Sequence, residues 1–113
     1  MSKQNILSQI EKMLEENTNE LGFKQVFELP FEIGKPYFIR TVTYFATGRV
    51  KAIVGQFLVL EEAAWIADTG RFSNALAKGV MDEVEPIEGE MFINTASITD
   101  AFPWNHQLPR EQK

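Results

Sequence analysis

The chain contains no cysteine and a single histidine, His106, among its 113 residues. Without cysteine there can be no disulfide framework, no thiolate metal site and no cysteine nucleophile, so stability must come from packing. One histidine excludes a histidine-based metal cluster, and a Ser-His-Asp triad would have to use a residue in a proline-flanked segment. We therefore expect His106 on the surface, no catalytic residue, no metal, no cofactor and a cytoplasmic location.

Long apolar runs and a surplus of positive charge are also missing. No apolar run approaches the length of a membrane span, and residues 1–22 are amphipathic with four Glu, unlike an export signal. The 11 basic and 16 acidic side chains give a net charge of −5, which repels phosphate polymers. We expect neither a membrane nor a long nucleic acid as partner. A few converging Arg side chains can still hold one phosphate group.

The side-chain pattern predicts one domain, residues 1–113, of the α+β class: an N-terminal helix packed on a mostly antiparallel meander or small barrel-like sheet. Apolar residues recur at helical spacing in residues 1–22, which predicts the helix; they are Ile6, Ile10, Met13 and Leu14. The sheet is expected over residues 23–94, with a first strand at 23–29. A short helix is expected at residues 69–78 and an irregular tail at 95–113.

The segment 36–67 is crowded with β-branched and aromatic residues and predicts three consecutive strands, at residues 37–47, 49–54 and 57–66. The expected turns are Thr47-Gly48 and Gly55-Gln56, and connections this short force antiparallel neighbours. Alternate residues of the first strand are apolar on both faces, so we expect both faces to be covered. Brief strands are expected at residues 80–86 and 91–94. A sheet of short, aromatic-rich strands should leave an edge or face for another copy, so we expect a homo-oligomer.

Two motifs suggest chemistry but have simpler explanations. Asp68-Thr69-Gly70 after an apolar run is the signature of retroviral-type aspartic proteases, which share a proton between two aspartates. The following residues look helical and lack the rest of that fold, so we expect Asp68 or Thr69 to cap the short helix. Five carboxylates could suggest calcium, but they lack EF-hand spacing and indicate a solvated acidic hairpin; they are Asp82, Glu83, Glu85, Glu88 and Glu90.

Arg and aromatic residues near element ends suit a small phosphorylated, nucleotide-like ligand. Guanidinium groups grip phosphate in a bidentate way, and aromatic faces stack on bases. We expect Arg71 and Phe72 to form the centre of such a cleft, with Gly70 allowing an anion to approach the backbone. The candidate ligand-binding residues are Arg40, Trp65, Asp68, Arg71, Phe72, Asn94 and Arg110. The alternative is that the aromatic rings belong to the core and that Arg40 covers an apolar face.

The sequence resembles a family of small phage and bacterial proteins without a known function, over roughly residues 34–110. The likeness lies in Phe-Ile-Arg-Thr-Val-Thr-Tyr at 38–44, in Ala-Trp-Ile-Ala-Asp-Thr-Gly-Arg-Phe at 64–72 and in shorter blocks near 47–50, 57–60, 83–86 and 101–106. It is also similar to phage anti-defence proteins that sequester the cyclic ADP-ribose isomers made by Thoeris immune systems. The resemblance implies a non-catalytic sponge in the host cell cytosol. Such a sponge is an oligomer that holds an immune signal intact near its subunit interfaces, and some sponges are also associated with cyclic oligonucleotides.

Two other functions remain open from the sequence. The helix followed by short strands also looks like the small barrels of Sm-like RNA-binding proteins, although an RNA-binding ring needs a basic surface. A phage structural or regulatory protein that acts only through protein contacts is the third possibility, with exposed Phe and Trp as anchors.

Overall fold

The structure is a computed structural model that describes Ile10 and residues 28–113. The chain divides into two compact units, Met1–Pro30 and Phe31–Lys113, and the second is described below. Its elements in chain order are β1 (Pro36–Thr41), β2 (Phe45–Val54), β3 (Phe57–Asp68), the helix α1 (Phe72–Lys78), β4 (Glu83–Pro86), β5 (Met91–Asn94), a 3-10 turn (Thr95–Ser97) and β6 (Ile98–Pro103).

The α+β prediction is wrong for the described part, which is a mostly antiparallel sheet of six strands with one short helix. The α+β class depended on the helix expected at residues 1–22, and that segment lies outside the described residues apart from Ile10. Most of the strand expected at residues 23–29 also lies outside them. The extent of the domain, 1–113, stays a prediction. In the part of the chain that the structure describes, no helix is long and apolar enough to cross a membrane.

The strands follow the order β4-β3-β2-β1-β6, and β5 also pairs with β3. β4 and β5 occupy successive stretches of one edge of β3, with Ala64 opposite Pro86 and Leu60 opposite Met91. Between these stretches Glu62 adopts a positive φ of 51°, a backbone conformation that bends the strand. The predicted acidic hairpin is therefore wrong, because β4 and β5 each pair with β3.

Two core clusters cover the two faces of the sheet, as the alternation in β1 predicts. Ile39 lies in the first cluster and its neighbour Phe38 in the second, and both are fully buried. The first core cluster comprises Tyr37, Ile39, Ala46, Val50, Leu58, Leu60, Ala63 and Ile93. The second comprises Phe38, Ala64, Ile66, Ala75, Met81, Val84, Trp104 and Leu108, so α1 and the segment after β6 cover that face.

The predicted turn at Thr47-Gly48 is wrong, because both residues lie inside β2 and pair with β1. The chain turns earlier, where the Thr41 hydroxyl accepts a hydrogen bond from the Tyr44 amide (3.0 Å) and donates to the Tyr44 carbonyl (2.8 Å). Gly48 is needed for space: a Cβ there would lie 3.0 Å from Cβ and Cδ1 of Leu60. The turn predicted at Gly55-Gln56 joins β2 to β3.

The segment expected to be an irregular tail from residue 95 contains a strand. β6 pairs antiparallel with β1, with Phe102 opposite Phe38 and Ala101 opposite Ile39. Sequence patterns miss β6 because its partner lies about 60 residues earlier in the chain, as the Arg40–Asp100 pair shows.

The short helix α1 ends at Gly79, which has a φ of 71° and donates its N–H to the Ala75 carbonyl. Ala75 is fully buried against the second face of the sheet. His106 Nε2 donates to the Leu76 carbonyl at 2.7 Å, and its ring packs edge-on against Trp104. His106 is thus half-buried at the end of this helix, whereas we expected it on the surface.

Candidate functional site

Arg40 and Phe72, two of the predicted ligand-binding residues, lie together on the second face of the sheet. The Arg40 guanidinium lies 4.8 Å from the centre of the Phe72 ring and 5.9 Å from that of Phe102. Its Nε donates to Asp100 Oδ1 at 2.6 Å, and a second nitrogen bonds the other carboxylate oxygen. This bidentate pair lowers the pKa of Asp100 and raises that of Arg40, in both cases mainly through the hydrogen bonds. Because Arg40 is engaged in this way, its role here is to hold β1, β6 and α1 together.

Arg71 and Phe72 do not form the expected cleft. The Phe72 ring packs against Phe38 at 5.8 Å and Phe102 at 5.5 Å between centroids. Arg71 is exposed and occupies the N-cap position of α1, where its carbonyl accepts from the amides of Asn74 and Ala75. The alternative weighed from the sequence, in which Phe72 is a packing residue, describes this geometry.

Trp65, Asp68 and Asn94 lie away from the Arg40 cluster. Trp65 pairs with Ala46, a residue of the first core cluster, and therefore lies on the opposite face of the sheet from Arg40. Asp68 accepts from the Gly70 amide at 2.8 Å and does not cap α1, which has no side-chain cap. Asn94 accepts from the Ala96 amide at 3.0 Å and lies at the other end of β3. These three predicted residues do not share a site.

Arg110 links β3 to the residue that follows β4. Its guanidinium donates to the Ala63 carbonyl at 2.7 Å and to the Ile87 carbonyl at 3.1 Å. The Ala63 carbonyl also accepts from the Ile87 amide at 2.8 Å, so Arg110 adds a second donor there, where β3 bends beside Glu62.

Arg110 also lines a groove of about 670 Å³ between the end of α1, β4 and the C-terminal segment. Two further cations, Lys78 and Lys113, line it together with the carboxylate of Glu111. Its apolar floor includes Met81, Val84 and Leu108, all of which belong to the second core cluster. The Lys113 main chain is fixed there, because its amide and carbonyl both bond Val84, at 2.9 and 3.0 Å.

This groove concentrates positive charge in an acidic protein. The side chains that line it include three cations and one carboxylate, which sum to a formal charge of +2 with His106 neutral, against −5 for all side chains of the protein. Lysine and arginine side chains over an apolar floor suit an anion attached to a flat ring. Of these cations only Arg110 was predicted from the sequence, because Lys78 and Lys113 carry no local signal and only the fold brings them to one groove.

A second surface, here called the apolar patch, comprises Ala52, Val54, Phe57, Val59 and Phe92. Val54 and Phe92 are each 62% exposed and Phe57 is 47% exposed. The patch lies over a shallow concavity of about 430 Å³ on the face opposite the first core cluster. At its rim Lys51 Nζ lies 2.5 Å from Glu90 Oε1, and this hydrogen bond raises the pKa of Lys51. The rim pair therefore leaves the patch without net charge.

Among the described residues, no group of three or more His, Asp or Glu side chains could hold a metal ion. Two of the carboxylates considered as calcium ligands bind separate partners. Glu85 accepts from Gln112 at 3.3 Å, and Glu90 bonds Lys51.

Comparisons with known proteins identify no family for this chain. No family model matches the chain, and no curated protein matches it. Among solved structures, the chain is similar to a heptameric archaeal Sm protein, with a TM-score of 0.45, 19% sequence identity, and coverage of 63% of this chain and 87% of that one. A similarity of this size establishes neither a family nor a function for this chain, whose fold is defined by its own strand pairing.

Proposed function

We propose that this protein is a non-catalytic binding protein that sequesters a small phosphorylated, nucleotide-like ligand in the groove beside α1. One observation carries the proposal: Lys78, Arg110 and Lys113 all line one groove of about 670 Å³ in a chain of net negative charge. That volume lies within the ~300–1,000 Å³ typical of small-molecule sites.

The groove supplies both interactions that such a ligand needs. The flexible ammonium groups of Lys78 and Lys113 contact phosphate as point charges, and Arg110 keeps further N–H donors beyond the two that bind carbonyls. The exposed portions of Val80 and Pro109 add apolar surface for a ring. Each charge-assisted hydrogen bond is worth roughly 1.5–3 kcal/mol.

The resemblance to anti-defence sponges suggests which ligands to test first. These are cyclic ADP-ribose isomers and cyclic oligonucleotides. A sponge needs affinity and no acid, base or metal, so its ligand should be recovered unchanged. We also propose that the chain works as a homo-oligomer, for which the exposed apolar patch offers a surface.

Calorimetric titration with cyclic ADP-ribose, its isomers, cyclic dinucleotides and AMP tests the proposal. Binding should weaken roughly tenfold in Lys78→Gln and in Lys113→Gln, because each variant removes one charged donor. Lys35→Gln is the matched control, since Lys35 is exposed and does not line the groove. Mass spectrometry after denaturation should return intact ligand. Equal binding by all three variants would refute the site, and a converted ligand would refute the non-catalytic role.

RNA binding by a small β-barrel is a second candidate, and the strand order favours it. A meander whose last strand, β6, returns beside β1 is how small barrels approach closure. Titrating short single-stranded RNA at increasing salt separates the candidates. Affinity that falls steeply with salt supports RNA binding, and no binding at low salt removes it. If neither ligand class binds, the protein-contact function expected as the third possibility becomes the leading one.

A further inference from the structure

In the described part of the chain, the edge of the sheet formed by β4 and β5 is covered along β4 and has no strand paired along the outer side of β5. The Lys113 main chain pairs with Val84 in both directions and so occupies the outer edge of β4. Within the described residues, β5 bonds β3 along one edge and no strand along the other. An open strand edge presents unpaired main-chain N–H and C=O groups and is a template for another strand.

The apolar patch is continuous with this open edge. Phe92, which is 62% exposed, lies on β5 and pairs across the sheet with Val59. Phe57 and Val54 lie directly opposite each other on the next two strands. Phe92 thus lies on the open edge and also carries an exposed apolar side chain, and an additional β-strand would cover both.

We propose that β5 and the apolar patch form a two-fold interface with a second copy of this chain. When two antiparallel β5 strands are related by a two-fold axis perpendicular to the sheet, the same face of each copy lies on the same side of the joined sheet. Residues that lie opposite each other therefore project their side chains from the same face. A register centred on Phe92 places the two Phe92 rings side by side. It also places the two patches next to one another in one apolar surface.

The charges of the patch favour a second copy over a charged partner. Lys51 and Glu90 neutralise each other within one chain, so the surface attracts neither an anionic nor a cationic ligand. A neutral apolar surface is complementary to itself, whereas the rest of this chain carries net negative charge.

The area indicates how tight this contact is. Two half-exposed Phe and one Val amount to roughly 300 Å² of exposed side chain on each copy. A standard interface buries about 800 Å² per partner, so the patch is insufficient alone and the pairing of β5 edges must contribute. We therefore expect association that depends on protein concentration.

Light scattering across a concentration series tests the interface with two matched lysine variants. Val54→Lys should halve the mass of the assembly at a given concentration. Val42→Lys should leave it unchanged, because Val42 is 78% exposed but lies in the turn between β1 and β2. Lysine lowers the net negative charge of the chain, so a loss of association cannot come from greater general repulsion.

Cross-linking tests the two-fold axis. The chain has no cysteine, so Phe92→Cys introduces a single thiol. Paired Cβ atoms in antiparallel strands lie ~4.5–5.5 Å apart, close enough for a disulfide after a small shift. Mild oxidation should give a covalent dimer of Phe92→Cys and none of Val42→Cys. A wild-type monomer at all concentrations would overturn the proposal and indicate that another occupant covers the patch. The proposal is also overturned if Val54→Lys leaves the assembly intact. It is overturned likewise if Val54→Lys dissociates the assembly but oxidation of Phe92→Cys gives no covalent dimer.

Discussion

Replacing Gly79 with alanine should destabilise the protein by about 2–3 kcal/mol, from two sources. Gly79 has a φ of 71°, where any residue with a Cβ is strained by roughly 1–2 kcal/mol. An added Cβ would also lie 2.6 Å from Cγ and 2.8 Å from Cβ of His106, so the histidine must move. Its movement breaks the 2.7 Å hydrogen bond to the Leu76 carbonyl, worth about 0.5–1.5 kcal/mol.

Urea unfolding followed by tryptophan fluorescence measures this loss, since Trp104 packs against His106 at 5.0 Å. Gly89→Ala is the matched control, because Gly89 has a φ of 76° and nothing within 4 Å of an added Cβ. The control should lose only the backbone term of roughly 1–2 kcal/mol. In a His106→Ala background, Gly79→Ala should cost no more than Gly89→Ala. Equal costs of Gly79→Ala and Gly89→Ala in the parent protein would refute the clash with His106, and so would a difference that persists after His106 is removed.

Three further substitutions give simple expectations. Thr47→Val should raise the free energy of unfolding by about 1 kcal/mol, because the buried Thr47 hydroxyl has no partner among the described residues; a lower urea midpoint would contradict this. Gly48→Ala should cost about 1–3 kcal/mol by overpacking against Leu60, and an unchanged midpoint would argue against that close approach. Because Arg40 lowers the folded-state pKa of Asp100, the contribution of this ion pair to the free energy of unfolding is complete above the ordinary Asp pKa. That contribution is lost as pH falls through the lowered pKa. The melting temperature of Asp100→Asn should therefore fall less between pH 5 and pH 2 than that of the parent, and parallel curves would refute the link.

Local signals predicted the elements whose boundaries are set by their own residues. β5 has the predicted range, and β3 and α1 lie within three residues of theirs, because turn glycines and β-branched runs act over a few residues. Thr47-Gly48 was misassigned for a physical reason: a glycine inside a strand-forming segment can mark either a turn or a close packing contact. Only the position of Leu60 on the neighbouring strand distinguishes the two.

The candidate site was harder to predict because side-chain chemistry does not reveal which partner a group already has. Arg40 was nominated for phosphate, yet its donors face Asp100, which is 60 residues away in sequence. Phe72 was nominated for stacking, yet its ring packs against Phe38 and Phe102. Lys78 and Lys113 were not nominated, although the fold brings both to one groove.

Arg110 shows why the lysines are the better probes of that groove. Its guanidinium satisfies two carbonyls where β3 bends, so Arg110→Ala would leave both acceptors without these donors. The same substitution would weaken the link between β3 and the residue that follows β4. A loss of ligand binding would then have a structural cause as well as an electrostatic one. Lys78 and Lys113 donate no side-chain hydrogen bond in the part of the chain that the structure describes. Replacing either lysine therefore changes the charge of the groove while leaving the sheet as it is.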